Sequence, residues 1–163
     1  MGTGKTAVGC EVARRKKWRF LDLDELIELK EKRPITDIFA KDGEPFFRRL
    51  ESRALKEVSN EKKFVVACGG GIVIKAQNIK TMKETGIIIC LTAAPEVILK
   101  RTASYRHRPL LNVKDPKQQI ELLLKLRAPY YARADKTIDG SKLTVEKVAE
   151  KILKLTAKKG HKK

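Results

Sequence analysis

The chain has 163 residues, 42% hydrophobic and 35% charged, with a formal net charge of +17. That length suits one domain with a single core rather than two, and the composition is that of an ordinary soluble globular protein. It excludes a membrane span, because the longest apolar run, GIIICL at 86–91, is strand-sized; the polar, glycine-rich start is no secretory leader, so the chain reads as cytoplasmic.

The opening GTGKT at 2–6 is a glycine turn feeding a helix, AVGCEVARR. RFLDLD (19–24) reads as a short strand and ELIELKEK (25–32) as a helix. ITDIFAKDG (35–43) and EPFFRRLESRALKEVS (44–59) read as two helices, the first ended by Gly43. KFVVACGGG (63–71) is a strand running into glycines, AQNIKTMKETG (76–86) a helix with a glycine stop, and IIICLT (87–92) a strand. APEVILKRT (94–102) starts a helix with Pro95 in its first turn. ASYRHRPLLNVKDP (103–116) is a basic, proline-containing loop. KQQIELLLKLRAPYYARA (117–134) is helical and breaks at Pro129; KTID (136–139) is a strand, and TVEKVAEKILKLTAKK (144–159) a closing amphipathic helix. Strands alternating with helices predict an α/β domain with a mainly parallel sheet, without internal repeat or linker.

The charge reads first as a solvated lysine-rich surface, second as affinity for small anions and third as nucleic-acid binding. The lysines are spread over helices, only KKGHKK is a dense cluster, and no aromatic interleaving accompanies them. Cys10, Cys68 and Cys90 are an odd number without metal-type spacing, which fits reduced thiols.

Six stretches carry candidate chemistry. Gly2–Thr3–Gly4–Lys5–Thr6 is the back half of a G-x-x-x-x-G-K-[ST] phosphate loop. Exposed amides and the helix dipole favour phosphate there, Lys5 reaches the outer phosphates and the Thr6 hydroxyl suits Mg²⁺; the alternative is a chance G-K-T. On a strand through FLDLDE, Phe20, Asp22 and Asp24 share one face, at the end of a sheet where ligands bind; the alternative is a solvated strand end with Asp24 as a helix N-cap. Glu44, Arg48 and Glu51 fall at i, i+4 and i+7 on one helix face. That spacing holds an arginine ready for a carboxylate, or forms a surface salt-bridge ladder. Three glycines at 69–71 exceed what a turn needs and allow close backbone approach to a ligand; the alternative is a loose glycine-rich turn. The loop RHRPLL has the length and charge of a lid over a transferring phosphoryl group, although Arg106 and His107 individually read as ordinary loop residues. Arg127 ends a helix, facing a crevice or capping carbonyls.

Taken in order, GTGKT, FLDLDELIE, ITDIFAKDGEPFFRRLE, CGGG, RHRPLL and LRAPYYARAD resemble the shikimate kinase family over nearly the whole chain. The G-E-x-x-F-R-x-x-E pattern at 43–51 is specific to it. The resemblance implies a three-layer α/β/α P-loop kinase fold, like that of nucleoside monophosphate kinases. It also implies transfer of the ATP γ-phosphoryl group to the 3-hydroxyl of shikimate, in chorismate and aromatic amino-acid biosynthesis. It places ATP at Gly2, Thr3, Gly4, Lys5, Thr6, Ala7, Arg101 and Arg108, with Arg101 by the adenine and Arg108 descending with the lid. Mg²⁺ falls to Thr6 and, through water, Asp22. Shikimate falls to Asp24, Arg48, Gly70 and Arg127, and catalysis to Lys5, Asp24 and Arg108. The expected organisation is one domain over 1–163, a lid at about 103–116 and a basic tail at 157–163. The expected state is a monomer acting on shikimate and ATP, without nucleic-acid or membrane partners. A gluconate-type kinase and an inactive homologue with a binding role are the competing readings. Family members start with an apolar strand and a first loop glycine that this sequence lacks. The resemblance puts that strand mid-sheet, between FVVAC and IIICL, and implies a natural start upstream with Met1 internal to the loop.

Overall fold

The structure is a computed structural model that describes residues 2–103 and 113–157. Its elements run α1 (Lys5–Lys16), β1 (Arg19–Asp22), α2 (Leu23–Glu31), α3 (Ile35–Val58), β2 (Phe64–Ala67), a 3₁₀ turn (Ile72–Ile74), α4 (Ala76–Thr85), β3 (Ile89–Thr92), α5 (Pro95–Thr102), α6 (Pro116–Tyr131), β4 (Lys136–Asp139) and α7 (Val145–Ala157).

The strands form two parallel pairs. β1 lies on β2 with Arg19 opposite Phe64 and Asp22 opposite Ala67; β3 lies on β4 with Ile89 opposite Lys136 and Thr92 opposite Asp139. The expected single sheet is therefore divided. Among the described residues no strand bridges β2 and β3, which is where the resemblance puts the family's central strand. The strand residues, apart from Ala67, are only half-buried along these two edges.

Helices cover both faces, and strand alternation decides which side chain meets which layer. Leu21 and Val66 pack with α2 and α3 against Leu23, Ile27, Ile38, Phe47, Leu50, Ala54, Leu55 and Ile72. On the other face Val65 of β2 and Ile89 and Leu91 of β3 meet Val8 and Val12 of α1 and Val148, Ala149 and Ile152 of α7. A single helix, α1, thus spans both strand pairs. It lies close to β1 because residue 9 is glycine: a Cβ there would fall 2.6 Å from the Phe20 ring. A smaller cluster of Ala93, Ile98 and Ile120 joins α5 to α6.

Two boundaries differ from expectation and a third agrees with it. β1 ends at Asp22 rather than at residue 24, because the Asp22 carboxylate turns to accept the Asp24 N–H at 3.0 Å and caps α2. Asp24 thus sits in the first turn of a helix, not on a strand face, and the N-cap is Asp22. The second difference is α6, which runs two residues past Pro129; the chain closes it with the Ala132 N–H on the Ala128 carbonyl. The third is α3, continuous from 35 to 58 but broken locally at Gly43 (φ 79°, ψ 170°), as the glycine predicted; Pro45 follows in the first turn of the second half, where its missing N–H costs nothing.

Candidate active site

The phosphate end is built at the start of α1. Gly2 and Gly4 adopt φ of 58° and 87°, a region glycine enters without strain. Gly2 also needs its small size, since a Cβ would meet Thr102 Cγ2 at 2.8 Å on α5, whereas the Cβ direction of Gly4 opens onto free space. Gly4 caps α1 without a side-chain bond, so the first-turn amides beside Lys5, Thr6 and Ala7 point outward as donors. Thr3 is buried, and its Oγ1 finds no hydrogen-bond partner among the described residues. The Thr6 hydroxyl donates to Asp22 Oδ2 at 2.8 Å, joining this loop to the end of β1. The positive charge of Lys5 acts on both Cys68 and Cys90, opposing the rise that burial imposes on their thiols.

The second end gathers around the glycine triplet. The β1–β2 register sets Asp22 beside Ala67, so the segment leading to Asp24 runs alongside Cys68 and Gly69. A Cβ at Gly69 would lie 2.9 Å from Glu51 Oε1 and 3.2 Å from Asp24 Oδ1; one at Gly71 would lie 2.3 Å from Arg48 Nη1. Two of the three glycines are therefore required by the close approach of site side chains. Arg48 donates from Nε and Nη2 to Glu44 Oε1 (3.0 and 2.7 Å) and from Nη1 to Glu51 Oε2 (2.5 Å). This is no surface ladder, because Glu51 is only 1% exposed. Burial pulls Arg48 downward, and its two carboxylate partners more than offset this. Arg48 lines a cavity of about 310 Å³ with Glu44, Pro45, Gly71, Ile74, Lys75 and Asn78.

Arg127 is 6% exposed, so it faces inward from α6 rather than capping solvent-side carbonyls. Its charge acts on Tyr131, whose hydroxyl donates to the Gly70 carbonyl at 3.0 Å. Sequence reasoning missed Tyr131; it is one turn past Arg127 on the same helix, and that spacing was the available signal. Burial pushes the Cys68 thiol up to about 12, helped by the charges of Glu51 and Asp24, so it stays protonated and inert beside the site.

Arg101 lies elsewhere, donating to the Gly140 carbonyl at 3.3 Å. The adjoining loop is pinned by Ser141, which accepts from the Ala94 N–H at 2.8 Å and donates to Asp139 at 2.5 Å. Arg108, Arg106 and His107 fall outside the described residues, as do 104–112 of the lid and 158–163 of the tail. The structure thus brings together Lys5, Thr6 and Asp22 at one end, and Asp24, Arg48, Glu51 and Arg127 around the glycines at the other.

A family model for shikimate kinase matches residues 1–157. The chain belongs to the shikimate kinase family. The shikimate kinase of Thermoanaerobacter pseudethanolicus is 44% identical over 98% of this chain and 95% of its own length. That of Thermodesulfovibrio yellowstonii is 45% identical over 94% and 89%. Among solved structures, a shikimate kinase from Acinetobacter baumannii in complex with shikimate superposes with a TM-score of 0.95 at 39% identity, covering 99% of this chain and 91% of that one. The shikimate kinase of Aquifex aeolicus gives 0.83 at 32% identity, over 96% and 92%. The family's fold is the P-loop α/β kinase fold, and this chain is an enzyme, a kinase of aromatic biosynthesis that phosphorylates shikimate using ATP. Among the described residues no helix is long and apolar enough to cross a membrane.

Proposed function

We propose that the chain moves the γ-phosphoryl group of ATP onto the 3-hydroxyl of shikimate, with the two ends of the site dividing the work. The observation that carries this is the gathering of Arg48, Glu51 and Asp24 against Gly69 and Gly71, at the end of the strand pair whose Asp22 also meets the phosphate loop. The Acinetobacter baumannii relative with shikimate bound supports the substrate.

In this reading Lys5 and the first-turn amides of α1 neutralise the phosphates. Arg48 and Arg127 hold the shikimate carboxylate and the Gly70 N–H helps to seat the ring. Asp24 binds the substrate hydroxyls and orients or accepts the proton of the attacking one. Arg101 lies on the adenine side, and Arg108 closes over the phosphates with the lid. The protein does little covalent work: in-line positioning and charge neutralisation carry the rate.

The donor set fits Mg²⁺. Thr6 and Asp22 offer hard oxygen ligands held 2.8 Å apart, and among the described residues no cluster of three or more His, Cys, Asp or Glu forms a closed metal cage. Mg²⁺ prefers such a site, taking few protein ligands and completing its shell with water and phosphate oxygens. Bound there by Thr6 and Asp22, it would neutralise charge on the phosphates.

The test is shikimate-dependent ADP release. Activity that disappears in Lys5→Ala and Asp24→Asn supports the assignment; ADP release that ignores shikimate, or survives both changes, overturns it.

A further inference from the structure

We propose that binding of the substrate carboxylate at Arg48 draws one proton from solvent onto Glu51, so that substrate affinity is linked to pH. The inference rests on the assignment of Arg48 as a carboxylate clamp and deepens it.

The geometry points to Glu51 in three ways. Its side chain is sealed from solvent, at 1% exposure. One oxygen, Oε2, is committed to Arg48 at 2.5 Å, while Oε1 has no hydrogen-bond partner among the described residues. That oxygen faces the Asp24 carboxyl across Gly69, where no side chain intervenes. A buried acceptor without a donor is costly when ionised, and a proton removes the cost.

The charge inventory gives the coupling. From α3, Glu44 and Glu51 flank Arg48; from α2 comes Asp24; from α6 come Arg127 and the phenol of Tyr131; Lys5 of α1 lies near the neutral Cys68 thiol. Arg48 is already balanced by two carboxylates. A third, on the substrate, competes with Glu51 for the same guanidinium, while Lys75 on the rim of the cavity is exposed and turned to Ser52. Neutralising Glu51 releases Arg48 to the incoming carboxylate without leaving a buried anion unpaired. Burial, with a contribution from Asp24, raises the Glu51 carboxyl to about 7 against the opposing pull of Arg48 and Arg127, so the proton is exchangeable near neutrality. A second anion at Arg48 weakens that opposing pull and raises it further.

The sign follows. Well below pH 7 Glu51 is protonated in both states and binding takes up no proton. Above pH 7 the free enzyme is ionised, binding takes up a proton, and the Kd for shikimate weakens by up to about tenfold per pH unit.

The experiment is calorimetric titration of the full chain with shikimate at pH 6 and pH 8, in buffers of differing ionisation heat. The proposal expects a heat that varies with buffer at pH 8, by close to one proton per shikimate, and little variation at pH 6. Glu51→Gln, a neutral isostere, is expected to lose the buffer dependence and bind at pH 8 as the unmodified chain binds at pH 6. Binding without buffer dependence at pH 8 overturns the proposal and leaves the clamp standing. Glu51→Gln weakening affinity equally at both pH values assigns Glu51 a merely structural role and also overturns it. An absence of shikimate binding in every buffer overturns the clamp assignment itself. If Glu51→Gln does not fold, the buffer dependence of the unmodified chain decides alone.

Discussion

A methyl group at Gly71 would land 2.3 Å from Arg48 Nη1, inside any allowed contact. The obstacle is the tip of a flexible side chain, so the fold yields cheaply while the guanidinium is displaced. Gly71→Ala is therefore expected to lower Tm by no more than about 2–4 °C, the equivalent of about 1 kcal/mol in a domain of this size class. Its shikimate KM rises by an order of magnitude or more, as a misplaced clamp requires; thermal melts beside steady-state kinetics check both. Glu51 has a second consequence at this scale. Its carboxyl is raised in the folded chain from an ordinary value near 4.5 to about 7. The stability it contributes is thus fully present below pH 4.5 and is lost as pH rises through 7. Urea midpoints measured from pH 5 to 8 are expected to fall, and to fall less in Glu51→Gln. The helix period alone aligned Glu44, Arg48 and Glu51. It did not reveal that Glu51 is sealed in, because that depends on how closely the glycine triplet approaches, which is a tertiary fact. The excess of glycines at 69–71 did announce a close approach, though not of which groups.

Among the elements, α6 illustrates a local rule overruled by packing. Pro129 was expected to end the helix, and a proline interior to a helix ordinarily costs about 3 kcal/mol. Here the helix continues to Tyr131, whose hydroxyl bonds Gly70 across the site. The charge of Arg127 acts on the same phenol, and the helix and the glycine loop are joined through the Tyr131 hydroxyl. Tyr131→Phe keeps the ring and removes the link. Expected are a stability loss of about 1 kcal/mol, typical of one hydrogen bond, and a severalfold rise in shikimate KM with kcat little changed. Equilibrium unfolding and kinetics of the variant test this. The carboxylates of FLDLDE show the opposite limitation. Strand alternation predicted one face for Asp22 and Asp24, but Asp22 is both the last strand residue and the cap of α2, and the helical turn it starts carries Asp24 out of the strand. Period-based reading fails at such junctions because one residue serves two geometries.

At the scale of the whole molecule, the described residues form two parallel pairs that leave one edge each of β2 and β3 without a neighbouring strand. Amides of β2 and β3 that face away from β1 and β4 have no ladder partner among the described residues. Unpaired amides must be hydrated or otherwise satisfied. Hydrogen exchange is expected to show alternate amides along Phe64–Ala67 and Ile89–Thr92 exchanging orders of magnitude faster than their neighbours. Uniform protection along either strand would contradict the divided arrangement. The strands and helices were legible from apolar runs and glycines, and the layers from the family resemblance. The division was legible only by comparison with the family pattern, since nothing in the runs themselves says which strands are neighbours.

The contact between Gly9 and Phe20 reaches further than its size suggests. The helix there rests directly on the ring, with 2.6 Å to where a Cβ would be. Any side chain at residue 9 acts as a shim: the ring swings out, or the helix lifts. If it lifts, its first turn carries Lys5 and Thr6 away from Asp22, although residue 9 touches neither. In a mutational screen this buried glycine would thus register beside the phosphate-handling residues, as a hinge pin registers when the door no longer closes.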